Sequence, residues 1–86
     1  MGADLEKSLY SENQKKLQSL LREIRENAEL RQEDIAKALD VPQSFVSKIE
    51  SGERRLDILE LRALCEVFGI TLAGFCRKLE AKITED

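Results

Sequence analysis

Residues 32–50 read QEDIAKALDVPQSFVSKIE, and few folds accommodate such a stretch. Ile35, Ala36 and Leu39 recur at helical spacing, and Val46 and Ile49 do so again further on. Between them Asp40-Val41-Pro42 breaks the pattern. An apolar stripe, a breaker and a second apolar stripe mark a helix-turn-helix. Asp40 sits where the chain must turn sharply. A left-handed backbone there suits Gly best, and Asp tolerates it better than most residues. Pro42 suits the start of the second helix, where an amide hydrogen would have no partner anyway.

The second helix of this unit has two faces. At about 100° per residue, Val46 and Ile49 point one way, and Gln43, Ser44, Ser47 and Lys48 cluster on the other. Gln can pair with both major-groove atoms of adenine, Ser is permissive, and Lys reaches guanine or a phosphate. Gln43 and Ser44 lie at the helix N-terminus, the end that enters the groove in helix-turn-helix proteins. These four are the expected base-reading residues. Phe45, on the flank, either packs at the core edge or touches a thymine methyl. Edge packing is the expectation, since one aromatic residue makes no stacking platform. Arg31, Gln32, Arg54 and Arg55 are the expected phosphate contacts: Gln32 beside the unpaired amides of a helix start, Arg31 next to it, and the Arg pair just after the recognition helix.

The rest of the chain supplies a body for this unit. Ser11 and Gln14 fit a capping box, with a helix following to about Asn27 and burying Leu17, Leu20, Leu21 and Ile24. Leu30 plugs the core from the first connection. Ser51-Gly52 ends the recognition helix, with Gly52 in the left-handed position. Asp57 caps a fourth helix that carries Leu61, Leu64, Cys65 and Phe68 inward, and Gly69 stops it. Thr71 caps a fifth with Leu72, Phe75, Cys76, Leu79 and Ile83 along one face. The reading is all-α: a flexible leader over residues 1–11, a compact five-helix domain over 12–83, and a tail at 84–86.

Composition narrows the function. Eighty-six residues suffice for one domain with one modest core. No apolar run approaches the ~20 residues of a membrane span. The first residues include Asp4, Glu6 and Lys7 and form no secretory signal, so a cytoplasmic protein is expected. There is no histidine, and Cys65 and Cys76 alone make no metal box. Without paired catalytic groups or a phosphate loop, no constellation for enzyme chemistry exists, and neither metal nor cofactor is expected. Net charge is −3, from 14 basic and 17 acidic residues. Nonspecific coating of DNA runs on a basic excess. Specific binding depends on where the charges sit. An acidic domain that binds DNA weakly alone is expected to act as a homodimer. The fifth-helix residues Leu72, Phe75, Leu79 and Ile83 are the candidate dimer face.

These residues together resemble the XRE family of lambda-repressor-like helix-turn-helix proteins. The resemblance spans roughly Leu17 to Leu79. It rests on Arg25, Gln32-Glu33-Asp34-Ile35-Ala36, Val41, Ser47-Lys48-Ile49-Glu50, Gly52 and the Leu61 to Phe68-Gly69-Ile70 stretch, all in register. It implies a five-helix domain whose third helix enters the major groove, Gln32 on a phosphate, and Gln43 and Ser44 on bases. It also implies an ion pair between Arg25 and Glu50. That pairing is physically sensible, because a carboxylate on the core flank is costly without a partner. Two departures stand out: Arg31 where the family usually has Ser or Thr, and Asp40 where it usually has Gly. The function implied is a sequence-specific regulator of transcription, a repressor or autoregulatory controller, reading a palindromic operator in double-stranded DNA as a dimer. The alternative is an antitoxin-like module whose main partner is a second protein.

Overall fold

The computed structural model describes residues 12–85, so Ser11 and the expected leader lie outside the described residues. Five helices follow one another: α1 Glu12–Asn27, α2 Gln32–Leu39, α3 Gln43–Ser51, α4 Ile58–Phe68 and α5 Leu72–Thr84. No strand occurs among the described residues. The last helix runs one residue beyond the expected boundary at 83.

Each helix end has an identifiable cause. At the end of α1, Glu29 takes a left-handed φ of 59°. This lets the Leu30 amide donate to the Arg25 carbonyl at 3.1 Å and the Glu29 amide to the Glu26 carbonyl at 2.9 Å, a Schellman closure. Glu29 carries no sequence mark of this, since such a cap usually falls to Gly or Asn. The turn after α2 uses the same device. Asp40 has φ 56°, and the Val41 amide reaches back to the Ala36 carbonyl at 3.0 Å. Arg31 stands at the N-cap of α2, where its side chain has no acceptor to offer. The cap is supplied in reverse: the Asp34 carboxylate accepts the Arg31 backbone N–H at 2.8 Å. Pro42 is the N-cap of α3, one position before its first helical residue.

Asp57 and Glu60 form a full capping box on α4, each carboxylate accepting the other residue's backbone N–H, at 2.8 and 3.1 Å. Thr71 caps α5 by accepting from the Gly74 amide at 2.9 Å. Gly52 and Gly69 close α3 and α4 at φ 85° and 80°. Gly52 is doubly constrained, because a Cβ there would fall 2.5 Å from the Gln18 side chain.

The core draws on every helix: Leu20, Leu21 and Ile24 from α1, Ile35 and Ala36 from α2, Val46 and Ile49 from α3, Leu61, Leu64 and Cys65 from α4, and Phe75 from α5. Leu30 and Phe45 pack against its edge. The consequence for function is positional. Helix α3 lies against α1 and α2, with its apolar side spent on the core and its polar side left outward.

Candidate nucleic-acid interface

One carboxylate organises the interface. Glu50, on α3, is only 6% exposed. Arg25 of α1 grips it with two nitrogens, Nε at 2.6 Å and Nη2 at 3.1 Å. The third nitrogen, Nη1, donates to the Leu30 carbonyl at 2.8 Å. The first connection is thereby fastened to the same guanidinium. Arg22 Nε stands 3.6 Å from the carboxylate. Burial pushes the Glu50 carboxyl up, yet the hydrogen bonds from Arg25 and Gln32, together with the charges of Arg25 and Arg22, hold it below the usual range. The hydrogen bond to Glu50 likewise pushes the Arg25 guanidinium up.

The network then runs outward. Gln32 Nε2 donates to Glu50 Oε1 at 3.0 Å. Gln43 Nε2 donates to Gln32 Oε1 at 3.4 Å. The first residue of α3 is therefore tied through the first residue of α2 to a buried carboxylate on α3 itself. Gln43, Ser44, Ser47 and Lys48 are all exposed. Ser44, Ser47 and Lys48 lie on the side of α3 away from Val46 and Ile49, and Gln43, three residues before Val46, lies on the flank.

The expected phosphate contacts are placed unequally. Arg31 is exposed, and its guanidinium is shared between Glu33 at 2.8 Å and Asp34 at 3.2 Å. Arg54 is held more firmly. Its Nη1 and Nη2 meet the two oxygens of Glu60 at 2.9 and 2.8 Å, and Nη1 also donates to the Arg55 carbonyl at 2.9 Å. Its guanidinium carbon lies 4.4 Å from the centre of the Phe45 ring. Arg55 is exposed and reaches Gln14 Oε1 at 3.5 Å.

The helix-turn-helix family model matches residues 21–75, more than half of the chain. A solved structure described as an XRE-family like protein from Pseudomonas syringae pv. tomato str. DC3000 superposes with a TM-score of 0.81 at 38% sequence identity. The match covers 92% of this chain and 96% of that one. No curated protein matches. The chain belongs to the XRE family of helix-turn-helix DNA-binding regulators.

Within this XRE domain two of the expected site residues are engaged by the fold itself. Phe75 is 0% exposed, so it belongs to the core and has no surface to offer a second subunit. Leu72 and Leu79 are half-buried against the same core, and Ile83 is half-buried as well. Arg54, expected to clamp a phosphate, has both terminal nitrogens committed within its own chain.

Among the described residues the exposed large apolar side chains are Ile58 at 58% and Leu59 at 74%, on the first turn of α4. A sequence signal for Leu59 existed. It lies two positions before Leu61, hence about 200° around the helix from the buried stripe. Among the described residues there is no cluster of three metal-ligating side chains, and no helix long and apolar enough to cross a membrane.

Proposed function

We propose that this chain is a cytoplasmic repressor or autoregulatory controller that reads a palindromic operator as a homodimer. The observation that carries this reading is the Glu50–Gln32–Gln43 hydrogen-bond chain. It fixes Gln32 firmly on Glu50 and, through the longer 3.4 Å contact, biases the orientation of Gln43 before DNA arrives. A side chain ordered in advance loses less entropy on binding. Gln43 and Ser44 enter the groove at the N-terminus of α3, with Ser47 and Lys48 a turn further on. Gln32 keeps an N–H beyond its bond to Glu50 and turns it to a phosphate at the start of α2.

Arg55, after the recognition helix, and Arg31, at the start of α2, each add a phosphate contact in competition with the partners they hold within the chain. This is a thin cationic set on a chain of net charge −3, and two copies on one site double it. A two-fold dimer reads half-sites roughly one DNA turn, about 34 Å, apart. Ile58 and Leu59, with the outer edge of α5 around Ile83, offer the apolar surface for the second copy.

The test is selection of bound sequences from random duplex DNA. Enrichment of a palindrome supports the dimeric regulator, and no enrichment overturns it. The antitoxin-like reading draws on the same exposed Ile58–Leu59 pair, with a foreign protein in place of the second copy. In that case the chain stays monomeric alone, and its DNA affinity changes when the partner is added.

A further inference from the structure

We propose that Phe45 contacts the C5-methyl group of an operator thymine, with Arg54 as the positioning residue that holds its ring. The inference rests on the reading of this domain as a sequence-specific DNA reader. Phe45 is the third residue of α3, directly after Gln43 and Ser44. Side chains in this first turn are the ones that reach base edges. Its ring is half-buried at the core edge, unlike Phe75, which is wholly enclosed. The part left open is apolar surface at the rim of a polar reading face. The thymine methyl is the apolar feature of the major groove, and Phe is among the side chains suited to it.

Arg54 explains how the ring keeps its place. The guanidinium covers the ring at 4.4 Å from the centroid, a cation–π distance. Its two terminal nitrogens are anchored on Glu60, and Glu60 is itself fixed as the capping partner of Asp57. A rigid path therefore runs from the N-terminus of α4 through Glu60 and Arg54 to the ring on α3. A planar fork that both stacks and binds a carboxylate with two nitrogens is a role Lys cannot fill. With its charge set against Glu60, Arg54 acts on DNA through Phe45 and not through a phosphate.

The deciding experiment uses the unaltered protein on its selected operator. Each thymine is replaced in turn by 5-iododeoxyuridine, the complex is irradiated, and crosslinked peptides are mapped by mass spectrometry. The remaining aromatic residues are Tyr10, Phe68 and Phe75, so a crosslink at Phe45 is unambiguous. One thymine per half-site is expected to crosslink to Phe45. Deoxyuridine at that thymine is expected to weaken binding about fourfold, the worth of one methyl-sized group removed from water.

Arg54→Met should remove most of that crosslink and that methyl sensitivity while the salt dependence of binding keeps its slope. Circular dichroism checks that it folds, and Arg54→Lys replaces it if it does not. A bound complex with no crosslink at Phe45 overturns the thymine contact. A slope reduced by about 0.9 in the Arg54 variant assigns Arg54 to a phosphate and overturns its positioning role. If no duplex is bound at all, it is the DNA-reading function that fails.

Discussion

Gln32 donates to the Glu50 carboxylate at 3.0 Å across the turn that separates α2 from α3. The bond joins a half-buried residue at the start of α2 to one that is almost wholly buried. Glu50 thus serves two purposes: it locks α3 to α1 through Arg25, and it orients the polar side chains at the start of both helices. Glu50→Gln leaves the Arg25 side chain, 12% exposed, facing a neutral amide. Breaking one half of a buried pair costs about 3–5 kcal/mol. The partial access of Arg25 to solvent places the expected loss at about 3 kcal/mol. Urea unfolding of the two proteins measures it.

The same carboxylate predicts the pH profile. Glu50, Glu60 and Asp34 are all held below their ordinary range by Arg partners. A group whose folded pKa is depressed contributes stability that is present above its unfolded pKa and is lost as pH falls through the folded one. Unfolded Asp and Glu titrate near roughly 3.9 and 4.3. With no histidine in the chain, stability should stay nearly flat between about pH 7 and pH 5. It should then fall steadily below about pH 4.3, and the fall should be shallower in Glu50→Gln. Thermal melts across that range test the sign, and a decline already evident between pH 7 and pH 6 would contradict it.

Gln43→Ala separates reading from folding. Gln43 is exposed and makes only the long 3.4 Å contact to Gln32, so fold stability should change little. Loss of a two-atom pair to a base costs about 1–3 kcal/mol and relaxes preference at that position. Binding to a panel of single-base operator variants should show one base pair whose identity no longer matters. Unchanged affinity and preference would remove Gln43 from the reading set.

Gly52→Ala should destabilise the domain through the backbone. A left-handed φ of 85° costs an L-residue about 1–2 kcal/mol. The added Cβ also meets Gln18 at 2.5 Å, a flexible side chain that can move aside. The strain, and not the clash, should therefore dominate. Adding Gln18→Ala should restore little of the lost melting temperature. Full restoration would show that the clash is the larger part.

These relationships differ in how far the sequence discloses them. The five helices follow from periodicity and breakers: the stripes on 35–39, 46–49 and 61–68, Gly52 and Gly69, and caps at Asp57 and Thr71. The left-handed turn at Asp40 follows from the sharp break alone. The Arg25–Glu50 pair joins residues 25 apart, and no local period links them, so only family resemblance points to it. The Arg54–Glu60 clamp depends on the path of an irregular loop, which has no repeat to read. Phe75 is ambiguous in sequence because the α5 stripe faces inward whether it meets its own core or a second chain. Only the fold, by enclosing Phe75 completely, separates the two. Leu59 is legible as an apolar residue off the α4 stripe, whereas Ile58 falls on the period of the stripe and its exposure at the first turn is set by the fold.

Leu59→Glu tests assembly. Leu59 is 74% exposed and its neighbour Ile58 is 58% exposed, so the substitution leaves the core untouched. A charge buried at a dimer contact is disfavoured unless paired, and a two-fold axis would bring two such charges close together. Monomer stability should therefore hold within about 0.5 kcal/mol, the usual range for surface changes. Sedimentation should shift from dimer to monomer, and operator affinity should fall with it. Ile83→Glu provides the contrast on α5. Loss of the dimer there, with Leu59→Glu still dimeric, would move the interface to the last helix.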